Sequence, residues 1–263
     1  MRRAEINGSA ATVTDLHRVA TVNYGHFTVM RVRDGAVRGL DIHLRRLVDT
    51  SKELFAEPVD GPAVRELIRR ALAGDRDASV RVTVFGTGRH GPPTGGPPDV
   101  LVSVLDPAPD RAQSPLRLRT AAYQRDFPHL KHGATMGQIR HWKLANADGF
   151  DDALFANPDG LVSEGTGWNL ALWNGERVVW PDAPQLAGVT MQALWVALPA
   201  IGVPSAVLPV HRDDLPTFTG AAATNANTAA QPVASIDDTR FPATEELTER
   251  LRAAWDTVPW DAV

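Results

Sequence analysis

The sequence predicts an α+β fold with two domains. Some segments repeat apolar residues at helical spacing and others alternate apolar with polar residues, so both helices and strands are expected. These segments do not follow the regular strand–helix–strand order of a parallel sheet. A polar, proline-rich segment at residues 107–115 is the predicted linker, because proline lacks the N–H that sheet pairing needs. The predicted domains therefore cover residues 1–106 and 116–263.

The first predicted domain combines short strands with two helices. Its strands are expected at residues 4–33, 80–85 and 100–105. Asn-Gly and Asp-Gly pairs are typical of hairpin turns, and they occur here at Asn7-Gly8 and Asp34-Gly35. Asp41 is the predicted N-cap of the first helix, and Gly61-Pro62 begins the second.

The second predicted domain is richer in strands. Its helices are expected at residues 135–147, 189–201 and 242–256. Its strands are expected at residues 116–122, 152–156, 161–164, 169–173, 177–180, 205–209, 220–225 and 231–236. Pro199 is tolerated because it lies near the end of its helix. No internal repeat or long low-complexity segment interrupts the domain.

Composition excludes several classes of function. The 263 residues are 43% hydrophobic and 22% charged, as in an ordinary globular protein, and a net charge of −4 offers no basic surface for nucleic acid. Without cysteine there is no disulfide, thiolate metal site or thiol nucleophile. No apolar run approaches the roughly 18 residues of a membrane helix, and the N-terminus lacks the apolar core of a signal peptide. We therefore expect a cytoplasmic protein without a membrane partner.

Lysine is scarce, which limits amine chemistry to three positions. Lys52, Lys131 and Lys143 stand against 24 arginines, a bias that a high-GC genome explains. Lys52 and Lys143 lie in predicted helices, where an exposed lysine is ordinary. Lys131 follows a turn-like segment. It is interpreted either as a surface side chain or as a Schiff-base lysine.

The stretch from Leu130 to Asn169 places an acid after that lysine. Glu164 ends an alternating strand and precedes a Gly-Thr-Gly sequence. Alone, it would be a surface acid at a strand end; in a functional site it would face a pyridine nitrogen and keep it protonated. An amine and an acid that meet at the two ends of a flat heterocycle indicate pyridoxal phosphate (PLP).

Two further features suit a phosphate and a carboxylate. Gly188-Val189-Thr190 begins a helix, whose free N–H groups favour phosphate, and Arg46, one turn from His43, offers a bidentate contact. Arg89 and His90 lie in a glycine-rich loop, where they are candidates to hold a substrate carboxylate. Each feature also has an ordinary explanation. Gly188-Val189-Thr190 would be a helix start without a ligand, Arg46 a solvated side chain, and Arg89 and His90 charges that solvate their loop.

Motifs of other enzyme classes are missing from the sequence. It contains no His-Glu-x-x-His, no Gly-x-Ser-x-Gly and no Gly-x-x-x-x-Gly-Lys. Zinc-protease, serine-hydrolase and P-loop chemistry therefore receive no support, and no metal is predicted.

In their order along the chain, these features resemble the fold-type IV PLP enzymes, also called class IV aminotransferases. That family includes branched-chain and D-amino-acid aminotransferases and aminodeoxychorismate lyase. The resemblance covers nearly the whole chain, and its most specific motif is the segment that runs from Asp159 to Leu170 around Glu164. The other motifs are Phe27-Thr28-Val29-Met30-Arg31-Val32, His43-Leu44-Arg45-Arg46-Leu47, Lys131 with its spacing to Gly149, Leu186-Ala187-Gly188-Val189-Thr190, and Thr224-Asn225-Ala226-Asn227.

The resemblance implies a homodimeric PLP enzyme with a D-amino-acid aminotransferase-like fold, an amino donor and a 2-oxo acid acceptor. It implies that Lys131 is the catalytic Schiff-base lysine and that Glu164 meets the pyridine nitrogen. The implied phosphate-side residues are Arg46, Gly188, Val189, Thr190, Asn225, Ala226 and Asn227. The candidates for the substrate side are Tyr24, Thr28, Arg89 and Arg125.

The sequence also departs from the family pattern. Met191 stands where an arginine is common, Ala226 where many relatives have Thr or Ser, and Trp168 where a small residue is usual. The segment after the lysine, residues 132–136, lacks the usual aromatic or asparagine residues. Two alternatives stay open: an aminodeoxychorismate lyase that forms 4-aminobenzoate and pyruvate, and a non-catalytic relative on the same scaffold.

Overall fold

The computed structural model describes residues 1–86, 96–108 and 114–263, and it confirms the α+β class. The chain divides into two compact units. The first consists of residues 1–110, 130–134 and 259–263, and the second of residues 111–129 and 135–258. Among the described residues, no helix has the length and apolar character needed to cross a membrane.

The first unit is built on an antiparallel sheet. Its strands are β1 (Arg3–Ile6), β2 (Ser9–Ala10), β3 (Gly25–Val32), β4 (Ala36–Arg38), β5 (Ala78–Phe85), β6 (Asp99–Leu105) and β16 (Trp260–Ala262). Its helices are α1 (Val13–Thr21), α2 (Leu40–Phe55) and α3 (Gly61–Leu72). Five strands form one sheet in the order β2-β1-β6-β5-β3, and β4 pairs with β16.

Alternation along the strands buries one face of this sheet. Met30, Val80 and Val82 are fully buried and belong to one cluster with Leu47 of α2 and Ile68 of α3. Burial of each such side chain contributes about 1.5–3 kcal/mol. The core therefore fixes β3 and α2, the elements that carry Thr28 and Arg46.

Both predicted hairpin turns of this unit are confirmed. Asn7 and Gly8 have φ values of 49° and 80°, and Asp34 and Gly35 have φ values of 52° and 75°. A type I′ turn requires positive φ at both central positions, and Asn, Asp and Gly tolerate it best. The local sequence is thus sufficient to specify these turns.

Two local predictions for the first unit are wrong. Helix α1 replaces a predicted strand, because the Thr12 side chain accepts the Asp15 N–H while Asp15 accepts the Thr12 N–H. The N-cap of α2 is Gly39 rather than Asp41. Gly39 has a φ of 69°, which glycine adopts without strain. Asp41 instead lies in the first turn, where a negative charge favours the helix dipole.

Two segments predicted in the second domain belong to the first unit because of backbone pairing. The Phe27 N–H donates to the Lys131 carbonyl over 2.9 Å, which groups residues 130–134 with β3. Pairing of β16 with β4 likewise groups residues 259–263 with the first unit. The change of unit after residue 110 lies inside the predicted linker at residues 107–115.

The elements predicted for the second unit are confirmed, with ends that shift by one or two residues. Its helices are α4 (Met136–Ala147), α5 (Val189–Ala200) and α6 (Thr244–Thr257), with a 3-10 helix at Arg212–Thr217. Its strands are β7 (Leu116–Ala122), β8 (Asp152–Ala156), β9 (Val162–Gly165), β10 (Asn169–Trp173), β11 (Val178–Pro181), β12 (Ser205–Leu208), β13 (Gly220–Thr224), β14 (Gln231–Ile236) and β15 (Thr239–Arg240).

Six strands of this unit close into a barrel. Hydrogen bonds link β7, β8, β9, β10, β13 and β14 in turn, and β14 returns to β7. Leu118, Leu154, Leu170 and Val233 fill the interior, while α5 and α6 cover the outer faces of β10 and β13. Because β9 is bonded on both sides, the barrel holds Glu164 rigidly.

Candidate active site

Lys131 lies in an extended segment along the start of β3. Its carbonyl accepts the Phe27 N–H over 2.9 Å, and the Gly133 N–H donates to the Gly25 carbonyl over 3.0 Å. The Lys131 Nζ is 5.1 Å from the centroid of the Phe27 ring, within range of a cation–π attraction. Backbone and side chain are thus both placed by the same strand.

Gly133 is one of the residues that depart from the family pattern after the lysine. A Cβ at this position would lie 2.9 Å from Asn23 Oδ1. Asn23 is exposed, so the end of its side chain can move away. A larger residue at position 133 would therefore have to displace the Asn23 side chain.

His43 is a buried neutral imidazole beside two predicted functional cations. Thr28 Oγ1 and His43 Nδ1 are 2.6 Å apart, and both residues are almost fully buried. The pKa of His43 is lowered to about 3, chiefly by burial and further by the positive charges of Arg46 and Lys131. The first unit therefore brings Arg46 and Lys131 close enough to act on one ring.

The residues predicted for the substrate side have different surroundings. Thr28 is fully buried and bonded to His43, so its hydroxyl orients that ring. Tyr24 is 42% exposed, and its hydroxyl donates to the Leu54 carbonyl over 3.1 Å. Arg89 and its neighbour His90 lie outside the described residues.

Glu164 is buried at the end of β9 and forms an ion pair. Arg125 Nε donates to Glu164 Oε1 over 2.9 Å, and the two residues are 4% and 5% exposed. Arg125 was predicted for the substrate side. In the structure its guanidinium contacts Glu164, the carboxylate predicted to meet the cofactor ring, because the end of β9 lies beside it.

The start of α5 has the geometry predicted for an anion site. Gly188 is its N-cap, and no side chain caps the helix. A Cβ on Gly188 would collide with Asn169 Oδ1, so only glycine fits. Thr190 Oγ1 donates to the Asn225 carbonyl over 2.8 Å, which ties the helix start to the turn after β13.

That turn is held together by its own side chain. Asn225 Oδ1 accepts the Asn227 N–H over 2.9 Å and the Thr228 N–H over 3.0 Å. Asn225 therefore shapes the turn. The Asn227 N–H is used within it, and Ala226 has no polar side chain to offer a ligand.

Thr224 is a residue that the sequence analysis quoted in a motif but gave no role. It pairs with Asn169 across β13 and β10, and it is 1% exposed. Its Oγ1 is buried and has no hydrogen-bond partner among the described residues. A buried hydroxyl without a partner is costly, so a ligand that bonds to it would stabilise the site.

These features of the second unit fit PLP. The uncapped amides of α5 and the Thr224 hydroxyl are suitable donors to a phosphate. The Glu164 carboxylate is a suitable acceptor for a protonated ring nitrogen. Within the first unit, Lys131 and Arg46 carry a primary amine and a guanidinium.

The sequence analysis missed Arg81 on β5. Its guanidinium carbon lies 3.6 Å from the Phe27 ring centroid, and its Nε donates to Thr83 Oγ1 over 3.2 Å. Within the described part of the chain it has no ion pair, and burial lowers its pKa. Alternation along β5 is the signal that would have found Arg81. Arg81 and Thr83 lie on the same face of β5, and Thr83 pairs directly with Phe27 of β3.

The chain belongs to the class IV aminotransferases. The model of the family described as "Amino-transferase class IV" matches residues 25–236, which is most of the chain and includes the predicted lysine and acid motifs. The resemblance inferred from the motifs is thereby confirmed. The protein is an enzyme of the class IV aminotransferase and lyase group.

Individual relatives span several activities. The chain is 26% identical to a probable branched-chain-amino-acid aminotransferase of Synechocystis over 112 residues, 42% of this chain and 37% of that protein. It is 26% identical over 250 residues to the bifunctional aminodeoxychorismate lyase / D-amino acid transaminase of Mycobacterium tuberculosis, with 84% of each chain covered. Its fold is similar to that of the Escherichia coli branched-chain amino acid aminotransferase, with TM-score 0.83, 18% identity, and 97% of this chain and 93% of that one covered.

We predict that buried neutral histidines make stability depend on pH. Burial lowers the pKa of His26 to about 3, from 6.5, and its Nε2 lies 3.0 Å from Ser51 Oγ. Between these pKa values the unfolded chain binds a proton that the folded chain does not. The contribution to stability is therefore complete above about pH 6.5 and is lost as the pH falls, by about 1.4 kcal/mol per unit.

The measurement is the free energy of unfolding in urea at about pH 7.5 and about pH 5.5. The free energy of unfolding is expected to fall less between these pH values in His26→Gln than in the wild type, by about 1 kcal/mol. Replacement of the exposed His17 by glutamine is the matched control and should leave the loss unchanged. An identical loss in His26→Gln and wild type would contradict the prediction.

Proposed function

We propose that this protein is a PLP-dependent aminotransferase that transfers an amino group between an amino acid or amine and a 2-oxo acid. The placement of Lys131 carries the proposal. Backbone hydrogen bonds to β3 fix its segment, Nζ lies 5.1 Å from the Phe27 ring centroid, and the charges of Arg46 and Lys131 help to lower the pKa of the buried His43. Membership of the class IV family supports the same chemistry.

Lys131 is the proposed nucleophile and proton carrier. When bound, PLP supplies an aldehyde that reacts with amines and a ring that withdraws electrons. Lys131 Nζ would be the amine that holds the cofactor, and the substrate amine would take its place. The released Nζ then removes the proton at the substrate Cα and returns a proton in the second half of the transfer. The neutral His43 adds no positive charge beside this amine.

Glu164 is the proposed partner of the pyridine nitrogen. Its carboxylate is buried, and charge-assisted hydrogen bonds are strongest where water is excluded. An ionised carboxylate accepts several hydrogen bonds. Glu164 can therefore accept from Arg125 and from a ring N–H at the same time, which keeps the proton on the ring.

The proposed phosphate ligands are the backbone N–H groups of Val189 and Thr190, with Arg46 as the cation. Gly188 allows close approach of the phosphate because it has no side chain. Thr224 is added to this set because its hydroxyl is buried without a partner among the described residues. Asn225, Ala226 and Asn227 are proposed to border the phosphate through the turn that Asn225 shapes.

Arg81 is the proposed ligand of a substrate carboxylate. Amino acids and 2-oxo acids both carry this group, and a partly desolvated arginine without an ion pair in the described residues binds it well. Arg81 stacks on the Phe27 ring that Lys131 Nζ also approaches. Arg89 and Tyr24 remain proposed substrate contacts, and Thr28 is proposed to act through His43.

The proposed assembly is a cytoplasmic homodimer. The resemblance to class IV aminotransferases supports the dimer, and the composition, with a net charge of −4, supports a protein that acts in water. The proposal includes no metal, no nucleic acid and no membrane partner.

Replacement of Lys131 by alanine is expected to abolish both turnover and the visible absorbance of lysine-bound PLP. Loss of the nucleophile and the proton carrier should lower the rate by about a thousandfold or more. The measurements are the absorbance spectrum with added PLP and amino transfer across a panel of donors and 2-oxo acids. Replacement of the exposed Lys143 by alanine is the control. A wild-type protein without PLP absorbance would support the non-catalytic alternative.

Replacement of Arg81 by glutamine is expected to raise the KM for the 2-oxo acid by about tenfold to a hundredfold, through loss of a charge-assisted hydrogen bond. The affinity for PLP, measured by absorbance titration, should stay unchanged because Arg81 is assigned to the substrate. Arg76→Gln is the control, since Arg76 is exposed and pairs with Asp34. An unchanged KM in Arg81→Gln would remove Arg81 from the substrate side.

A lyase is the second candidate, favoured by the similarity to the bifunctional mycobacterial protein along 84% of the chain. Incubation with aminodeoxychorismate, without any amino acceptor, separates the two activities. The aminotransferase proposal predicts no 4-aminobenzoate under these conditions and transfer in the donor–acceptor panel. Formation of 4-aminobenzoate and pyruvate by the wild type but not by Lys131→Ala would replace it with the lyase.

A further inference from the structure

The Arg125–Glu164 ion pair is fixed at more than one point. Arg125 Nε donates to Glu164 Oε1 over 2.9 Å, and the two side chains are 3% and 7% exposed. The same guanidinium donates through Nη2 to the Pro128 carbonyl. A planar guanidinium presents its donors in a rigid fork. Two bonded partners therefore set its orientation and, with it, that of the carboxylate.

The loop that carries Arg125 supports this orientation. Phe127 has a φ of 45°, which is uncommon for an aromatic residue. Such a conformation persists only where neighbouring contacts impose it. The turn returns the Pro128 carbonyl to the Arg125 guanidinium, and Pro128 lies three residues before Lys131 in the chain.

The positive charge of the Arg125 guanidinium favours the ionised form of Glu164. Burial alone would favour a protonated carboxylate, whereas a neighbouring guanidinium, which does not titrate, favours the anion. Tyr123 and Asp126 are two titratable groups close to this pair in the second unit. The pKa of Tyr123 is raised, first by burial and then by the negative charge of Asp126. In this group, Arg125 is the cation that offsets the two carboxylates.

Resting on the proposed function, we infer that Arg125 is a positioning residue that keeps the proton shared by Glu164 and the pyridine nitrogen on the nitrogen. With the guanidinium in place, the carboxylate is the weaker base of the two. Without it, the carboxylate becomes the stronger base and takes the proton. Electron withdrawal by the ring then weakens, and removal of the substrate Cα proton by Lys131 slows.

The test compares Arg125→Gln, Arg125→Lys and the control Arg119→Gln. Arg119 pairs with Asp148 on a half-exposed surface of the same unit. Each holoprotein is prepared with PLP labelled with nitrogen-15 in the ring. The readouts are the NMR signal of that nitrogen, which separates its protonated and unprotonated forms, and the pH profiles of kcat and KM.

Arg125→Gln is expected to move the nitrogen signal to the unprotonated form and to lower kcat on the order of tenfold to a hundredfold, with little change in KM. Arg125→Lys keeps the positive charge but lacks the fork. It is therefore expected to keep only part of the protonated signal and to lose kcat by several-fold. Arg119→Gln should match the wild type in both readouts.

A protonated nitrogen signal and a wild-type kcat in Arg125→Gln would overturn the inference, even if the melting temperature falls, because Arg125 would then have only a structural role. If Arg125→Gln does not fold, since it leaves a buried charge without a partner, Arg125→Lys decides. A wild-type kcat and a wild-type nitrogen signal in that variant overturn the inference, as does a reduced kcat with a fully protonated signal, whereas a reduced kcat with a partly unprotonated signal supports it. A wild type that binds no PLP refutes the proposed function itself.

Discussion

Backbone pairing between β3 and the segment at Lys131 is the constraint on which the proposed chemistry depends. Hydrogen bonds of 2.9 Å and 3.0 Å hold the Lys131 carbonyl and the Gly133 N–H against β3. Fixing a residue's backbone costs about 1–2 kcal/mol of conformational entropy. Because folding has already met this cost, the amine does not have to be ordered again in each reaction cycle.

The second unit also holds its candidate site residues in fixed positions, but through the barrel and through side-chain contacts. Glu164 lies on β9, a strand bonded on both sides in a closed barrel, and Arg125 fixes its carboxylate. The start of α5 is fixed by Thr190, which bonds to the turn after β13. Each proposed contact to the cofactor therefore comes from an element whose position the core determines, rather than from a side chain on an unsupported loop.

The sequence was sufficient for most of the features that depend on a local signal. The turn at Asn7-Gly8, the helix that begins at Gly61 and the strands of the barrel follow from turn chemistry and from the period of apolar residues. The motif around Glu164 is local as well. Helix α1 is the exception, because the Thr12–Asp15 capping box that starts it lies within the range where strands were predicted.

The partners of the site residues could not be predicted in the same way, because they are distant in the chain. Arg125 and Glu164 are 39 residues apart, and no periodicity links them. The bond between Thr28 and His43 joins a strand to a helix. Such pairs depend on how the elements pack, so the sequence identified the charged groups but not the partner that each one has.

Asn169 and Gly188 have a consequence for the evolution of this site. Asn169 Nδ2 donates to the Leu186 carbonyl over 2.7 Å and to Gln185 Oε1 over 3.0 Å, and Asn169 Oδ1 occupies the space where a Cβ of residue 188 would lie. The amide and the missing side chain are therefore a single inherited unit. A lineage that gains a side chain at position 188 must lose the amide at position 169. Among homologous sequences, the two positions are expected to change together.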